Sequence, residues 1–185
     1  MTNKTAGDIV QEGPYVLREE LVPGVVRLTM NRPQAFNSLS ENMLDALQAE
    51  LDQIKSDNTI RVVVLAGAGK AFCAGHDLKE MRASPSLSYY QALFAKCSQM
   101  MLTIQQMPQP VIARVQGIAT AAGCQLVSMC DLAISSDQSR FAVSGINYGL
   151  FCSTPSVGLS RNIHRKQAME MLLTGDFIDA KAAQE

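Results

Sequence analysis

Two short apolar runs, each followed by a turn rich in glycine and alanine, constrain the fold of this chain most strongly. The first run is Val62–Ala66 and its turn is Phe72–Leu78. The second run is Val111–Val115 and its turn is Gly117–Cys124. Short apolar runs of this kind are typical of strands covered on both faces, which is the position of parallel strands in α/β proteins.

Helical patterns separate these strands. Ser40 is a good N-cap, and the apolar residues from Met43 to Ile54 then recur on one helical face. A second stripe, from Tyr90 to Ile104, ends before Pro108. Strands are also expected at 25–30 and at 132–135, and 141–143 is expected to extend the second of these. Residues 67–75 are expected to form a loop. The remaining expected helices lie at 121–129, from Thr154-Pro155 onward, and at 166–174. Strands therefore alternate with helices, which predicts repeated β-β-α or β-α-β units in an α/β domain.

The 185 residues are enough for one domain with a real core, and we expect a single domain over residues 1–185. The chain ends in A-K-A-A-Q-E, within the first turns of a helix opened by Asp179 and without a C-cap. The domain is therefore expected to be incomplete at its C-terminus.

Composition excludes several classes of function. The net charge of −1 argues against non-specific nucleic-acid binding. No apolar run is long enough to span a membrane. The polar N-terminus lacks the pattern of a secretory signal or a mitochondrial presequence, which predicts a cytoplasmic protein. Five cysteines without C-x-x-C spacing, together with only two histidines, predict reduced thiols and no metal site.

Nucleotide binding is not supported by the glycines that follow the first apolar run. Gly67-Ala68-Gly69-Lys70 is followed by Ala71, where a P-loop requires Ser or Thr. No G-x-G-x-x-G motif opens a helix either.

The two turns themselves are the stronger candidates for chemistry. Their small side chains let a ligand approach the backbone, and the second turn opens a helix whose first N–H groups have no intrahelical partner. If the two turns converge, they form an oxyanion hole; the alternative is tight packing and nothing more. The sequence pattern does not show convergence.

Several segments resemble the crotonase family of enoyl-CoA hydratases and isomerases, in the order in which that family has them. They are N-R-P-Q-A-F-N-S-L-S, A-F-C-A-G-H-D-L-K-E, P-V-I-A-R-V-Q-G-I-A-T-A-A-G-C-Q-L, C-D-L-A-I and A-M-E-M-L-L-T-G-D-F-I-D-A. The resemblance extends from about Val16 to the last residue. The pair A-A-G-C-Q and G-L-F-C-S-T-P is similar to a divergent subgroup, the enoyl-CoA hydratase domain-containing proteins.

The resemblance implies a spiral of β-β-α units, an acyl-CoA ligand, and an oxyanion hole formed by the N–H groups of His76 and Ala122. Coenzyme A would be part of the substrate and not a prosthetic group, and it would pass the loop 32–37 and the segment 76–79. The residues implied in binding it are Ala35, Ala74, His76, Asp77, Leu78 and Lys79. The family also implies a homotrimer or hexamer in which C-terminal helices complete the CoA pocket, and the site in these 185 residues is therefore expected to be incomplete.

Two positions depart from the family pattern. A hydratase of this family is expected to use two glutamates as general acid and base. Gln125 and Gly145 occupy those positions here, and neither side chain exchanges protons. No Glu occurs between Glu80 and Glu170, and the acids in that stretch are Asp131, for which a structural role is expected, and Asp137.

Other side chains are weaker candidates for contact with the ligand. Asn147, Cys152 and Ser153 follow Gly145, where the family lines its acyl pocket, but a thiol or hydroxyl needs an activating base. His164 is such a base only if the fold brings it close, and it lies in a cationic cluster typical of a solvated surface. The side chain of His76 is expected to line the ligand and not to act as a catalyst.

Three hypotheses of function follow from these residues. The first is an enzyme of the hydratase/isomerase class that stabilises an enolate thioester. The second is a non-catalytic acyl-CoA-binding or regulatory protein that has lost the acid/base pair. The third is a thioester hydrolase or lyase with a different proton donor. The two turns support ligand binding under all three, and the missing carboxylates argue against ordinary hydration.

Overall fold

Nine strands form two sheets within residues 11, 13–83 and 85–185, which the computed structural model describes. The strands are β1 (Val16–Val22), β2 (Val25–Met30), β3 (Val62–Gly67), β4 (Ala71–Cys73), β5 (Val111–Val115), β6 (Ile118–Thr120), β7 (Leu132–Ser135), β8 (Arg140–Ala142) and β9 (Ile178–Asp179). The helices in the same residues are α1 (Glu41–Lys55), α2 (Leu78–Ala83), α3 (Leu87–Gln106), α4 (Ala122–Met129), α5 (Ser153–Asn162), α6 (Arg165–Thr174) and α7 (Ala180–Gln184), with 3₁₀ turns at Pro33–Ala35 and Ser144–Tyr148.

The larger sheet has the order β1-β2-β3-β5-β7, and the smaller one has the order β4-β6-β8-β9. In the larger sheet every pairing from β2 to β7 is parallel, and only β1 is antiparallel to its neighbour. In the smaller sheet β4, β6 and β8 are parallel, and β9 is antiparallel to β8. The predicted α/β class is confirmed.

A repeated unit explains how the two sheets arise together. The strand pairs β3–β4, β5–β6 and β7–β8 each place the first strand in the larger sheet and the second strand in the smaller sheet, and helices follow each pair. Each repeat therefore adds one parallel strand to both sheets, which produces a spiral of β-β-α units. The turn between the two strands of a unit lies where the chain changes sheet.

The first long helix begins and packs as its sequence predicts. The Ser40 hydroxyl caps α1 by accepting a hydrogen bond from the Met43 N–H at 3.2 Å. The apolar face of α1 is buried, and its members are Met43, Leu44, Leu47, Leu51 and Ile54. This face belongs to the core that also contains Leu28 and Leu65 of the larger sheet.

Three expectations about local structure were wrong. Residues 67–75 are not all loop, because β4 lies within them. Residues 141–143 do not extend β7, since Phe141 and Ala142 belong to β8 in the smaller sheet. Helix α5 begins at Ser153, so Pro155 is its third residue and not its first. Strands of three residues are too short to carry an alternating pattern, and they are defined by their partners.

Two glycines allow the segments that carry the two glycine-rich turns to pack closely against each other. Gly117 has a φ of +62°, and a Cβ there would lie 1.9 Å from the Lys70 carbonyl oxygen. A Cβ at Gly123 would lie 2.1 Å from the Cys73 carbonyl oxygen. Both contacts are with backbone atoms, so any side chain would push the segment 70–73 away from the second glycine-rich turn.

Among the described residues, no helix is both long enough and apolar enough to cross a membrane.

Candidate active site

The two glycine-rich turns converge, because strands β4 and β6 pair in parallel and carry them to the same place. Cys73 is in register with Ala119. Gly75 has a φ of +88°, and a Cβ there would lie 3.0 Å from the Ala121 Cβ and 3.3 Å from the Ala122 nitrogen. The backbone of the first turn is therefore in contact range of the backbone N–H at the start of α4.

A strained residue sets the direction of the second turn. Ala121 has a φ of 51° and a ψ of −122°. Residues other than glycine rarely adopt this backbone conformation, which costs on the order of 1–3 kcal/mol of strain. Its N–H donates to the Ala142 carbonyl at 3.0 Å, which fixes the turn to β8. Helix α4 then begins at Ala122, whose N–H has no hydrogen-bond acceptor among the described residues.

The backbone around His76 leaves a second N–H without an acceptor. Leu39 pairs with this segment on both sides of His76, since its N–H donates to the Gly75 carbonyl at 2.8 Å and its carbonyl accepts from the Asp77 N–H at 3.4 Å. This parallel bridge uses the carbonyl of the residue before His76 and the N–H of the residue after it. The His76 N–H itself donates to no acceptor in the described part of the chain.

The imidazole of His76 points into the protein and packs on α3. Its ring meets the ring of Phe94 edge-on, with centroids 5.3 Å apart. Both ring nitrogens are enclosed and make no hydrogen bond to a described residue. Burial lowers the pKa of His76, and the nearby Leu39 carbonyl opposes this shift. The ring is therefore neutral at neutral pH, and its role in lining a ligand stays a prediction.

The low pKa of His76 predicts a dependence of stability on pH. Below about pH 6.5 the imidazole takes up a proton in the unfolded chain, whereas the folded chain resists this protonation. The free energy of unfolding is therefore expected to decrease as the pH falls from about 7 to about 5, and His76→Phe should remove this part of the decrease. Urea unfolding at several pH values measures it. His164→Gln, at an exposed position, should keep the decrease, and an unchanged pH profile in His76→Phe would contradict the prediction.

The two segments implied in coenzyme A binding lie side by side. Arg32 forms an ion pair with Asp77, with Nη1 and Oδ2 2.5 Å apart and both side chains largely buried. The other oxygen of Asp77 accepts from the N–H groups of Lys79 and Glu80, at the start of α2. Burial acts to raise the pKa of Asp77, but the hydrogen bonds from Arg32 and from these N–H groups outweigh it, so the pKa is lowered.

Asn37 holds the first of these segments in shape. Its side chain is fully buried, and Nδ2 donates to the carbonyls of Ala68 and Ala71, each at 2.8 Å. The Ala74 N–H donates to the Phe36 carbonyl at 3.0 Å, which ties the loop 32–37 to the first glycine-rich turn. Phe36 and Leu78 are about half exposed on the resulting surface, at 54% and 51%.

Gln125 lies one helical turn after Ala122, on the same face of α4. Its N–H donates to the Ala121 carbonyl at 3.0 Å. The residue is only 5% exposed, and its Oε1 has no hydrogen-bond donor among the described residues. Gln125 thus places a buried, neutral amide one helical turn after the Ala122 N–H.

Gly145 lies in the 3₁₀ turn that follows β8, and a thiol occupies the space beside it. A hydrogen bond of 2.8 Å between the hydroxyls of Thr120 and Ser144 connects this turn to the second glycine-rich turn. The Gly145 N–H donates to Cys152 Sγ at 3.3 Å, and a Cβ at Gly145 would lie 2.6 Å from that sulfur. The sequence placed Cys152 near the acyl pocket, but no sequence signal indicated its contact with Gly145.

The thiols in this region are protonated. Burial raises the pKa of Cys124 to about 12. Burial also raises the pKa of Cys152, and the Gly145 N–H opposes this shift. Neither is activated as a nucleophile. His164 is exposed at the N-terminal boundary of α6.

Asp131 has the structural role expected for it. Its Oδ2 accepts a hydrogen bond from the Val111 N–H at 2.7 Å, which fixes the start of β5. Groups of three or more His, Cys, Asp or Glu residues suited to holding a metal ion are not found among the described residues.

Comparisons with known proteins agree with this architecture. Residues 20–185 match the sequence profile of the enoyl-CoA hydratase/isomerase family. Enoyl-CoA hydratase domain-containing protein 3, mitochondrial, of Xenopus laevis is 46% identical over 168 residues, which cover 91% of this chain and 56% of that protein. The human protein of the same name is 44% identical over 160 residues, covering 86% of this chain and 53% of that protein. The chain thus spans about half the length of these curated relatives.

Solved structures give the same result in three dimensions. An enoyl-CoA hydratase from Mycobacterium smegmatis is 63% identical, with a TM-score of 0.91 over 93% of this chain and 67% of that one. Human enoyl coenzyme A hydratase domain-containing protein 3 is 43% identical, with a TM-score of 0.87 over 91% of this chain and 66% of that one. This chain therefore belongs to the enoyl-CoA hydratase/isomerase family, the crotonase family.

Proposed function

We propose that this chain binds acyl-CoA thioesters and polarises the thioester carbonyl with the backbone N–H groups of His76 and Ala122. One observation carries the proposal: two converging turns each present an N–H without an acceptor among the described residues. Unpaired N–H groups that face a common space bind an oxygen that gains negative charge. A thioester carbonyl becomes such an oxygen when the thioester enolises.

The proposed reaction class is that of the family, in which an enolate thioester is stabilised during hydration or isomerisation. Backbone donors do not depend on side chains, so the replacements at Gln125 and Gly145 leave them in place. Those replacements do remove the expected acid and base, and proton transfer would have to use a water held by Gln125 or another group. General acid–base catalysis typically contributes about 10²–10⁴-fold to a rate, so hydration is expected to be slower by a factor of that order.

A non-catalytic acyl-CoA-binding or regulatory role is the second candidate. The specific observation in its favour is the contact between Gly145 and Cys152, which fills with a neutral thiol the space beside the second carboxylate position. The donors of the oxyanion hole would then serve recognition of the thioester and not turnover.

Coenzyme A is proposed to lie along the loop 32–37 and the segment 76–79, which are joined, as part of the substrate and not as a prosthetic group. The proposed contacts are Ala35, Ala74, His76, Asp77, Leu78 and Lys79. The Arg32–Asp77 ion pair supports this assignment because it makes the two segments one surface. Asp77 then acts by holding the backbone, since its carboxylate is already paired with Arg32 and with two N–H groups.

Assembly and compartment belong to the same proposal. A homotrimer or hexamer is proposed from the family alone. Cytoplasmic residence stays a prediction from the N-terminal sequence, and the relatives from Xenopus laevis and human carry a mitochondrial name.

Two measurements on the 185-residue chain test the proposed function. Calorimetric titration with butyryl-CoA and with free coenzyme A tests binding, and the thioester is expected to bind more tightly because it alone offers a carbonyl to the two N–H groups. The loss of absorbance of crotonyl-CoA measures hydration, which is expected to be slow or absent. Lack of any acyl-CoA binding would reject both candidates, and hydration at the rate of a hydratase that has both glutamates would reject the roles given to Gln125 and Gly145.

A further inference from the structure

The larger sheet has an open face, the one that points away from α1. Arg18 on β1 donates hydrogen bonds to Glu50 and Gln53 of α1. Because side chains alternate along a strand, Leu17 and Glu19 point to the opposite face. In β2 and β5 buried residues likewise alternate with residues that are partly or fully exposed. Sheets of parallel strands are almost always covered on both faces, so this face lacks a covering layer within the described part of the chain.

Two rows of mainly apolar side chains cross the open face. The strand registers place in the first row Glu19, Arg27, Val64, Ile112 and Leu132, and in the second row Leu17, Thr29, Ala66, Arg114 and Ile134. The apolar residues on the edge strands β1 and β7 are the most exposed, at 42% for Leu17, 61% for Leu132 and 67% for Ile134. A continuous exposed face of this kind is typical of an interaction surface.

The charged groups of the open face are not balanced within one copy of the chain. Glu19 Oε2 forms an ion pair with Arg27. The other oxygen of Glu19 accepts no hydrogen bond from a described residue, and the side chain is 56% exposed. Arg114 is exposed, and its guanidinium has neither an ion pair nor a hydrogen bond among the described residues. Each copy thus presents an unpaired cation on β5 and an available carboxylate oxygen on β1.

These charges select a second copy of the chain as the occupant of the open face. A two-fold axis parallel to the strands and above β3 places β5 of one copy over β2 of the other, and β7 over β1. Arg114 of each copy then lies near the second copy's Glu19, and Leu132 and Ile134 lie over the second copy's Leu17. An axis perpendicular to the strands would instead place like charges opposite each other, which is unfavourable.

We propose that two copies of this chain associate through the open faces of their larger sheets, about a two-fold axis parallel to the strands. Five strands about 4.8 Å apart and about 18 Å long give roughly 450 Å² of flat area on each copy, so that on the order of 1,000 Å² is buried in total. This is the low end of specific interfaces, and reversible association is expected. The inference does not rest on the proposed function, because the two glycine-rich turns involve strands of the smaller sheet.

Sedimentation velocity of the 185-residue chain at concentrations from about 5 to about 500 µM tests the proposal. The wild-type mass is expected to double within this range. Ile134→Lys places a charge in the apolar contact, and this variant is expected to stay at half the associated mass. Lys166→Glu, at an exposed position of α6, should associate as the wild type does.

Two charge variants test the two-fold arrangement. Glu19→Arg and Arg114→Glu each bring like charges together between copies, and each should weaken association about tenfold or more. An equimolar mixture of the two variants restores opposite charges at both contacts, so mixing should recover the association. Glu19, Arg114 and Ile134 are all exposed, and thermal unfolding identifies any variant that does not fold.

Three outcomes would overturn the proposal. The first is a wild-type mass that stays at one copy or at three copies over the whole range. The second is doubling that persists in a folded Ile134→Lys variant, since the copies would then meet elsewhere. The third is a mixture of the two folded charge variants that associates no more strongly than each variant alone.

Discussion

Replacing Ala122 with proline is expected to abolish the polarisation of a bound thioester carbonyl while α4 stays in place. Ala122 is the first residue of α4, where proline is tolerated because the N–H has no intrahelical partner. Proline lacks that N–H, so one of the two proposed donors is removed. The loss of one donor of this kind lowers turnover by roughly 10²–10³-fold where turnover depends on it.

The absorbance of dimethylaminocinnamoyl-CoA measures this effect directly. The absorbance maximum of this conjugated thioester moves to longer wavelength when its carbonyl is polarised, so the red shift on binding should be large in wild type and strongly reduced in Ala122→Pro. Ala122→Gly keeps the N–H and should keep the shift. Thermal unfolding confirms that each variant is folded. A folded Ala122→Pro variant with the wild-type shift would show that this N–H does not contact the carbonyl.

The second large effect is expected at Gly145. A Cβ there would lie 2.6 Å both from Cys152 Sγ and from the Leu150 carbonyl oxygen. Gly145→Glu is therefore expected to destabilise the fold by about 1–3 kcal/mol, the usual cost of overpacking, as measured by urea unfolding. Even the double variant Gly145→Glu with Gln125→Glu is not expected to become an efficient hydratase, because the new side chain lacks the space to reach a productive position.

A variant pair isolates the steric cause of this effect. Gly145→Ala adds a single methyl group, and its cost should be smaller in the background of Cys152→Ala, where the sulfur is gone and only the Leu150 carbonyl is in contact. Equal costs in the two backgrounds would contradict the contact with Cys152. Efficient hydration of crotonyl-CoA by the variant with both glutamates would contradict the structural barrier at Gly145 altogether.

The elements that the sequence predicts well are those with long periodic patterns. The buried face of α1 and its cap at Ser40 agree with the structure because 15 residues repeat one apolar stripe. Strands β3 and β5 appear as short, mainly apolar runs, but the expectation that both faces are covered was wrong. Val64 and Ile112 are partly exposed and Arg114 is exposed, so one face of each strand is less buried. Strands β4, β6 and β8 have three residues each, and their pairing depends on residues distant in the chain. No local pattern in the sequence carries that information.

The candidate site divides in the same way. Motifs that resemble a known family select His76, Ala122, Gln125 and Gly145 as candidate site residues, and their roles stay predictions. The contact of Gly75 with Ala121 could not, since it depends on the pairing of β4 with β6. The thiol of Cys152 against Gly145 depends on how the chain returns after a 3₁₀ turn, and the inward direction of the His76 ring depends on packing against Phe94. Each of these is a tertiary contact between side chains or turns that are separate in sequence.

The central claim is that two unpaired backbone N–H groups polarise the carbonyl of a bound acyl-CoA thioester. Titration of the wild-type chain with dimethylaminocinnamoyl-CoA, followed by absorbance, tests it most directly because one experiment reports both binding and polarisation. Saturable binding with a shift of the absorbance maximum to longer wavelength is the predicted result. Binding without that shift, or no binding, would contradict the claim.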